Sequence, residues 1–292
     1  MTAKLQGIIP IVYTPFGADG SIDEGSVRRL VNHLIKAGAH GLAAVGGGSE
    51  CHKMSVEERQ WLASIVIDET GGRVPVIVGV SAEDTESAVA LARNATMLGA
   101  AAVFATPCAP DQTHLSALLQ HYGALAEATH LPVILQDAEI MVAPCDVVAL
   151  AKQLPAVQYV KEEAVGSGHR ITALRKLAGD RLGILSGGAH LLDELERGAL
   201  GAIPGSVGVS DLVRAYECHL IGDRDGARAA FDHFLPLSFW RSQFSRLGAK
   251  EVLRRQGIFR SAWLRDPAES PPLDEYDHRE LAALMEAMGE PY

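Results

Sequence analysis

The chain moves between two hydrophobic rhythms. Short apolar runs ending in small or polar residues return at intervals of about 20 to 35 residues, the spacing of a strand followed by a crossover helix. Eight are present: GIIPIVYTPF from Gly7, HGLAAVGGGS from His40, VPVIVGVS from Val74, AAVFATP from Ala101, LPVILQD from Leu131, VQYVKEE from Val157, LGILSGG from Leu182 and LGAIPGS from Leu200. Several are continuously apolar, as expected of parallel strands covered on both faces. Between the runs the period becomes helical. Ser55 with Glu58 predicts a capping box, and Ala88, Leu91, Ala92, Ala95 and Leu98 form an i, i+3, i+4 stripe closed by Gly99.

Eight strand–helix units predict an α/β chain folded as a (β/α)8 TIM barrel, an architecture that typically needs about 250 residues. A doubly wound open sheet needs no eighth unit and usually carries a Gly-rich dinucleotide loop after its first strand; none follows Tyr13. Past Gly222 the strand runs stop, and LSFWRSQFSRLGAKEVLRRQG places Phe239, Trp240, Phe244, Leu247 and Val252 at helical spacing. With no Ser/Gly linker before them, three C-terminal helices are expected to pack on the barrel, dividing the chain into a barrel over 1–222 and a helical extension over 223–292.

Composition narrows the partners. The 292 residues are 48% hydrophobic and 21% charged, enough apolar material for a large core. Lys plus Arg total 26 against 36 Asp plus Glu, a net −10 spread along the chain, so neither nucleic acid nor an anionic membrane is an expected partner. No stretch approaches the roughly 18 consecutive apolar residues of a membrane span, and the start lacks a basic region followed by a long apolar one. A soluble cytoplasmic protein is expected. Cys51, Cys108, Cys145 and Cys218 lie far apart without a C-x-x-C pair, which fits reduced packing thiols. The eleven histidines make neither H-x-H nor H-E-x-x-H, so no metal site is expected; only His190 falls near the presumed mouth.

Barrel enzymes place their chemistry at the C-terminal strand ends. Six of the seven lysines fall in helices, loops or the N-terminal tail, whereas Lys161 ends the apolar run VQYVK of strand six. With period two, Val157, Tyr159, Lys161 and Glu163 share one strand face. A buried lysine loses its proton readily and its neutral amine attacks a carbonyl to form a Schiff base. The competing reading is a rim lysine paired with Glu162 or Glu163. Glycines and small hydroxyls gather at other strand ends: Gly46, Gly47, Gly48 and Ser49 after strand two, Ser186, Gly187 and Gly188 after strand seven, and Gly205 and Ser206 after strand eight. Such turns serve as anion cradles or as ordinary turns.

These residues resemble the dihydrodipicolinate synthase and N-acetylneuraminate lyase family, barrels that bind pyruvate or another 2-keto acid as a Schiff base on a strand-six lysine. The resemblance covers nearly the whole chain and rests on GIIPIVYTPF with GSID, GGGSECHKMSVEER, TPCAPDQTHLSALLQHYGALAEAT, VQYVKEE and GALGAIPGSV. It implies Lys161 as nucleophile and a homo-oligomer, a tetramer built from dimers or a dimer. The departures matter equally. The family's G-T-T-G-E loop, which holds the keto-acid carboxylate, reads Gly46-Gly47-Gly48-Ser49-Glu50, so that work passes to backbone donors and the Ser49 hydroxyl. The proton-shuttling tyrosine of strand five falls on Gln136, the following arginine falls near Met141, and the tyrosine of the strand-four loop falls at Cys108 and Ala109. An amide does not relay protons as a phenol does, which argues against an authentic dihydrodipicolinate synthase.

LQD on strand five, VKEE on strand six and KEVLRRQGIFRSAWLRDP resemble the 2-keto-3-deoxy sugar-acid dehydratase branch. The expectation is a Schiff-base lyase acting on a small 2-keto acid, foremost by dehydrating a 2-keto-3-deoxy sugar acid without metal or organic cofactor. A pyruvate-dependent aldolase or condensing enzyme, and a barrel that binds a keto acid without turnover, remain open. Lys161 and Glu163 are the expected catalytic pair. Gly48, Ser49, Gln136, Ser186, Ile203, Gly205 and Ser206 are the expected substrate-binding residues.

Overall fold

A computed structural model describes residues 4–108, 113–138 and 140–289. Eight short parallel strands form its centre: β1 (Gly7–Ile8), β2 (Leu42–Ala44), β3 (Val76–Gly79), β4 (Ala102–Ala105), β5 (Val133–Asp137), β6 (Val157–Glu162), β7 (Gly183–Ser186) and β8 (Gly201–Ala202). Helices α1 (Glu24–Lys36), α2 (Val56–Thr70), α3 (Thr85–Met97), α4 (Leu115–Ala128), α5 (Pro144–Gln153), α6 (Ser167–Ala178), α7 (Leu191–Glu196) and α8 (Val209–Leu220) alternate with them. The ladder runs β1-β8-β7-β6-β5-β4-β3-β2, and a parallel bridge from Ile11 to Ala43 joins its two ends. Extending the registers once round the ladder from Ile8 leads through Ala202, Ser186, Glu162, Asp137, Pro107, Ala82 and Gly48 to Phe16, eight residues further along the first strand. That stagger is the shear of a TIM barrel.

The strands are shorter than the apolar runs that announced them. In the first run Pro10 has no N–H to give to a ladder, and pairing resumes only at Ile11. Glu163 lies one residue past the end of β6. The helix signals hold: Ser55 and Glu58 form a reciprocal capping box on α2, and Ala88, Leu91, Ala92 and Ala95 are the buried face of α3.

Beyond α8 come α9 (Arg224–Ser242), α10 (Ser245–Arg255) and α11 (Glu275–Ala287). Trp240 and Phe244 stack with ring centroids 5.0 Å apart at the α9–α10 corner, and both are buried, whereas Phe239 is exposed. Among the described residues no helix is long and apolar enough to cross a membrane.

Candidate active site

Lys161 is 1% exposed on the last turn of pleat in β6. Tyr159, two residues earlier on the same face, accepts a hydrogen bond from Leu5 N at 3.0 Å, so this face looks across the barrel interior toward the base of β1. Lys161 therefore points into the mouth. Its Nζ lies 2.8 Å from Glu163 Oε2, and Gln136, its register partner on β5, donates Nε2–H to Glu163 Oε1 at 2.5 Å. The carboxylate is thus held between an ammonium and an amide, with a quarter of its side chain still open to solvent. The lysine is thus paired with Glu163, as the rim reading expected, and the pair sits at the mouth of the barrel.

A second ionic group clamps the strand ends from behind. Arg170 of α6 reaches Glu162 Oε1 with Nε at 3.0 Å, Val142 O with Nη2 at 2.6 Å, and Asp137 through a further Nη2 contact. Asp137 and Glu162 are neighbours in register, so one guanidinium ties the ends of β5 and β6 and holds Gln136 and Lys161 in place. An arginine thus does stand at the end of strand five, supplied from α6, but its donors are spent on buried carboxylates. Burial lifts the Glu162 carboxyl to about 7 against the pull of Arg170, and burial also raises Asp137.

An unfolded glutamate titrates near 4.5, so between that value and about 7 the native state holds a proton that the unfolded chain has released. Stability contributed by this group is then present at low pH and lost as pH rises through the window. Glu162→Gln should flatten the decline, read as urea midpoints at about pH 5 and about pH 7.5. An unchanged slope in the variant would assign the titration to another group.

The remaining expected residues divide. Gly47–Ser49 form a single 3-10 turn at the mouth, and the N–H groups of Gly47 and Gly48 open that turn without a partner inside it. Ser49, expected to bind through its hydroxyl, instead donates it to Val12 O at 2.6 Å and is fully buried. Ser206 likewise turns its hydroxyl inward, onto Ile11 O. In both cases a backbone carbonyl of the first strand run, left unpaired where β1 is interrupted, takes the proton first. Ser186 accepts from Gly188 N at 3.2 Å, and Ile203 is a core residue whose N–H is bound to Ser186 O at 2.8 Å. Gly205 remains at the mouth. Gln136 contributes by holding Glu163, where a direct hold on substrate hydroxyls was expected.

At the end of β4, Cys108 Sγ lies 3.2 Å from His121 Nδ1. Burial pushes this thiol up and this imidazole down, which favours the neutral form of both. Ala109 lies outside the described residues. His190 is exposed at the start of α7.

Two features of the site escape a reading by local pattern. Glu50, with φ at 58° in the left-handed region, is wholly buried and bonded to Lys250 of α10, which is 1% exposed. Lys250 also donates to Trp263 O at 2.8 Å and lies 4.5 Å from the Phe16 ring centroid, while Arg246 donates to Gly47 O at 3.2 Å. Burial lowers Lys250 to about 8, with Glu50 opposing that fall. The C-terminal helices therefore hold the Gly46–Glu50 loop. The second feature is Tyr13, buried at the end of the first strand run with its ring against Gly48 and its hydroxyl against Gly205. The signal available for it was parity: Tyr13 shares the face of Ile9 and Ile11.

A model of the Dihydrodipicolinate synthetase family matches residues 4–288. The chain is 32% identical to L-2-keto-3-deoxyarabonate dehydratase of Azospirillum brasilense over 97% of this chain and 94% of that protein. It is 30% identical to 4-hydroxy-tetrahydrodipicolinate synthase of Pelobacter propionicus over 97% and 99%. Among solved structures, dihydrodipicolinate synthase from Rhodopseudomonas palustris superposes with TM-score 0.88 at 29% identity, covering 97% of each chain. A prophage protein of the dihydrodipicolinic acid synthase family from E. coli K12, solved with pyruvate, gives 0.89 at 25% identity over 99% of this chain and 100% of that one.

Proposed function

The chain belongs to the Dihydrodipicolinate synthetase family, a family of lyases, and from that premise we propose that it is a Schiff-base lyase that dehydrates a 2-keto-3-deoxy sugar acid. The observation that carries the reading is the Lys161–Glu163 ion pair, 2.8 Å long, at the C-terminal end of β6. Two further points support dehydration over condensation: the 32% identity to a 2-keto-3-deoxy-acid dehydratase, and an amide, Gln136, beside the carboxylate. The proposal includes a cytoplasmic homo-oligomer, dimer or tetramer.

The chemistry follows from the placement. Glu163 is close enough to accept the proton that Lys161 must shed before its amine adds to the C2 carbonyl. Glu163 returns that proton to the hydroxyl of the adduct, which leaves as water and gives an iminium, making the C3 protons acidic. Glu163, fixed by Gln136, removes one, and the electrons flow through the enamine to expel the C4 hydroxyl as water. Hydrolysis of the conjugated iminium frees Lys161. The N–H groups of Gly47 and Gly48 are the donors for the substrate carboxylate.

The reading is tested by treating the protein with borohydride in the presence of pyruvate and of L-2-keto-3-deoxyarabonate, mapping the adduct by mass spectrometry, and screening 2-keto-3-deoxy acids for loss of substrate. An adduct on Lys161 with turnover of at least one acid is expected; no adduct with either probe sinks it. Glu163→Gln should still yield the adduct while slowing turnover about 10²- to 10⁴-fold, the usual worth of a general base. Parental turnover in that variant would make Glu163 a rim residue.

A further inference from the structure

A buried phenol ordinarily finds a partner for its hydroxyl. Tyr122 donates to Ala105 O at 2.8 Å and Tyr159 accepts from Leu5 N. Tyr216, edge-on to His40 in the outer helical layer, has no hydroxyl partner among the described residues; Tyr13 shares that lack, but at the mouth of the barrel. It is 7% exposed, yet its hydroxyl has no hydrogen-bond partner among the described residues and is not among the atoms sealed from solvent.

Its position is built. Tyr13 N donates to Ser206 Oγ at 3.4 Å, and the Ser49 and Ser206 hydroxyls are tied to the carbonyls of Val12 and Ile11 on either side of the chain entering it. Two glycines make room for the ring. A Cβ at Gly48 would lie 2.5 Å from Tyr13 Cε1, and a Cβ at Gly205 would lie 2.3 Å from Tyr13 Oη. Ile11, on the same face, meets Phe104 of β4 over Gly46, each atom 3.3 Å from a Cβ there. Side chains of the first and fourth strands can meet only across the barrel interior, so Tyr13, two residues on, points into the mouth.

The height also matches. By register Glu163 stands beside Ile9, and the stagger of one residue per strand over the steps β6, β7, β8, β1 raises that level to Val12. Tyr13 and the Lys161–Glu163 pair therefore face one another in the same tier. Glu163 serves as base in the reading above, and expulsion of the C4 hydroxyl needs an acid that the carboxylate, having just taken the C3 proton, is badly aimed to be.

Resting on that reading, we propose that Tyr13 is the acid that protonates the departing C4 hydroxyl. As the enamine electrons break the C4–O bond, the oxygen takes the phenolic proton and leaves as water. The phenolate then regains a proton from protonated Glu163 through mouth water, so the sum is loss of one water and both groups return to their starting forms.

The test compares the parental protein with Tyr13→Phe on three probes: pyruvate with borohydride, L-2-keto-3-deoxyarabonate, and the 4-chloro analogue of that acid, whose chloride leaves without a proton. Tyr13→Phe is expected to keep the pyruvate adduct on Lys161, to lower kcat for the hydroxy acid about 10²- to 10⁴-fold with little change in KM, and to consume the chloro analogue at the parental rate. Gly205→Ala, whose methyl displaces the phenol oxygen, should show the same selective loss with the tyrosine still present. A parental kcat in Tyr13→Phe, a change confined to KM, or equal slowing of the chloro analogue each overturns the acid role while leaving the Schiff-base reading standing. No adduct, or no dehydration, in the parental protein overturns both.

Discussion

Lys161→Ala is expected to abolish turnover, by on the order of 10⁴-fold or more as for removal of other covalent nucleophiles, while the barrel stays folded. The two halves have separate causes. Turnover fails because no other described lysine amine reaches the mouth: Lys250, the other fully buried one, is bound to Glu50 and Trp263 O on the far side of the strand-two loop. Folding survives because the lysine occupies the strand end above the core, and the partner it leaves behind is not orphaned. Glu163 keeps its bond from Gln136 and enough exposure to be hydrated. Circular dichroism and thermal melting run beside the substrate screen decide the matter. Activity within tenfold of the parental protein would remove the Schiff base from the mechanism, and a melted variant would make Lys161 part of the fold.

Glu50→Ala is expected to cost about 3–5 kcal/mol of stability, the price of stranding a buried charge. Lys250 would keep only the Trp263 carbonyl and the Phe16 face, neither of which neutralises it. Activity should fall as well, since Glu50 ends the turn that carries Gly47 and Gly48 and its left-handed backbone is held by that contact. The double replacement Glu50→Leu with Lys250→Met should recover much of the stability, because removing both charges leaves nothing unpaired, whereas the loop geometry and the activity stay impaired. Urea midpoints of the single and double variants give the comparison. A loss below about 1 kcal/mol in Glu50→Ala would class the pair with surface ion pairs and detach the C-terminal helices from the site.

The barrel and the buried lysine at its mouth were legible because both are written in local periods. Continuous apolar runs alternating with helical stripes set the strand–helix count, and a charged residue ending an apolar run is conspicuous wherever the fold puts it. Parity over two residues joined Lys161 to Glu163 correctly even though Glu163 lies beyond the strand, since the chain stays extended for one residue more. The Ser49 and Ser206 hydroxyls were misjudged because a serine at a strand end has the same sequence signature whether it faces substrate or a broken ladder.

What the sequence by itself determined is therefore the order of elements, the mouth-facing strand end and the lysine and glutamate that share its face. All three depend on spacing between residues a few positions apart. Only the tertiary structure decided which groups complete the site. Lys250 closes on Glu50 across 200 positions, Arg170 ties Asp137 to Glu162 from a helix, and Tyr13 fits because Gly48 and Gly205 both lack a side chain. The physical reason is that a barrel brings eight strand ends into one ring. Neighbours there are set by register and stagger, and charge pairing or steric room between them leaves no periodic trace along the chain.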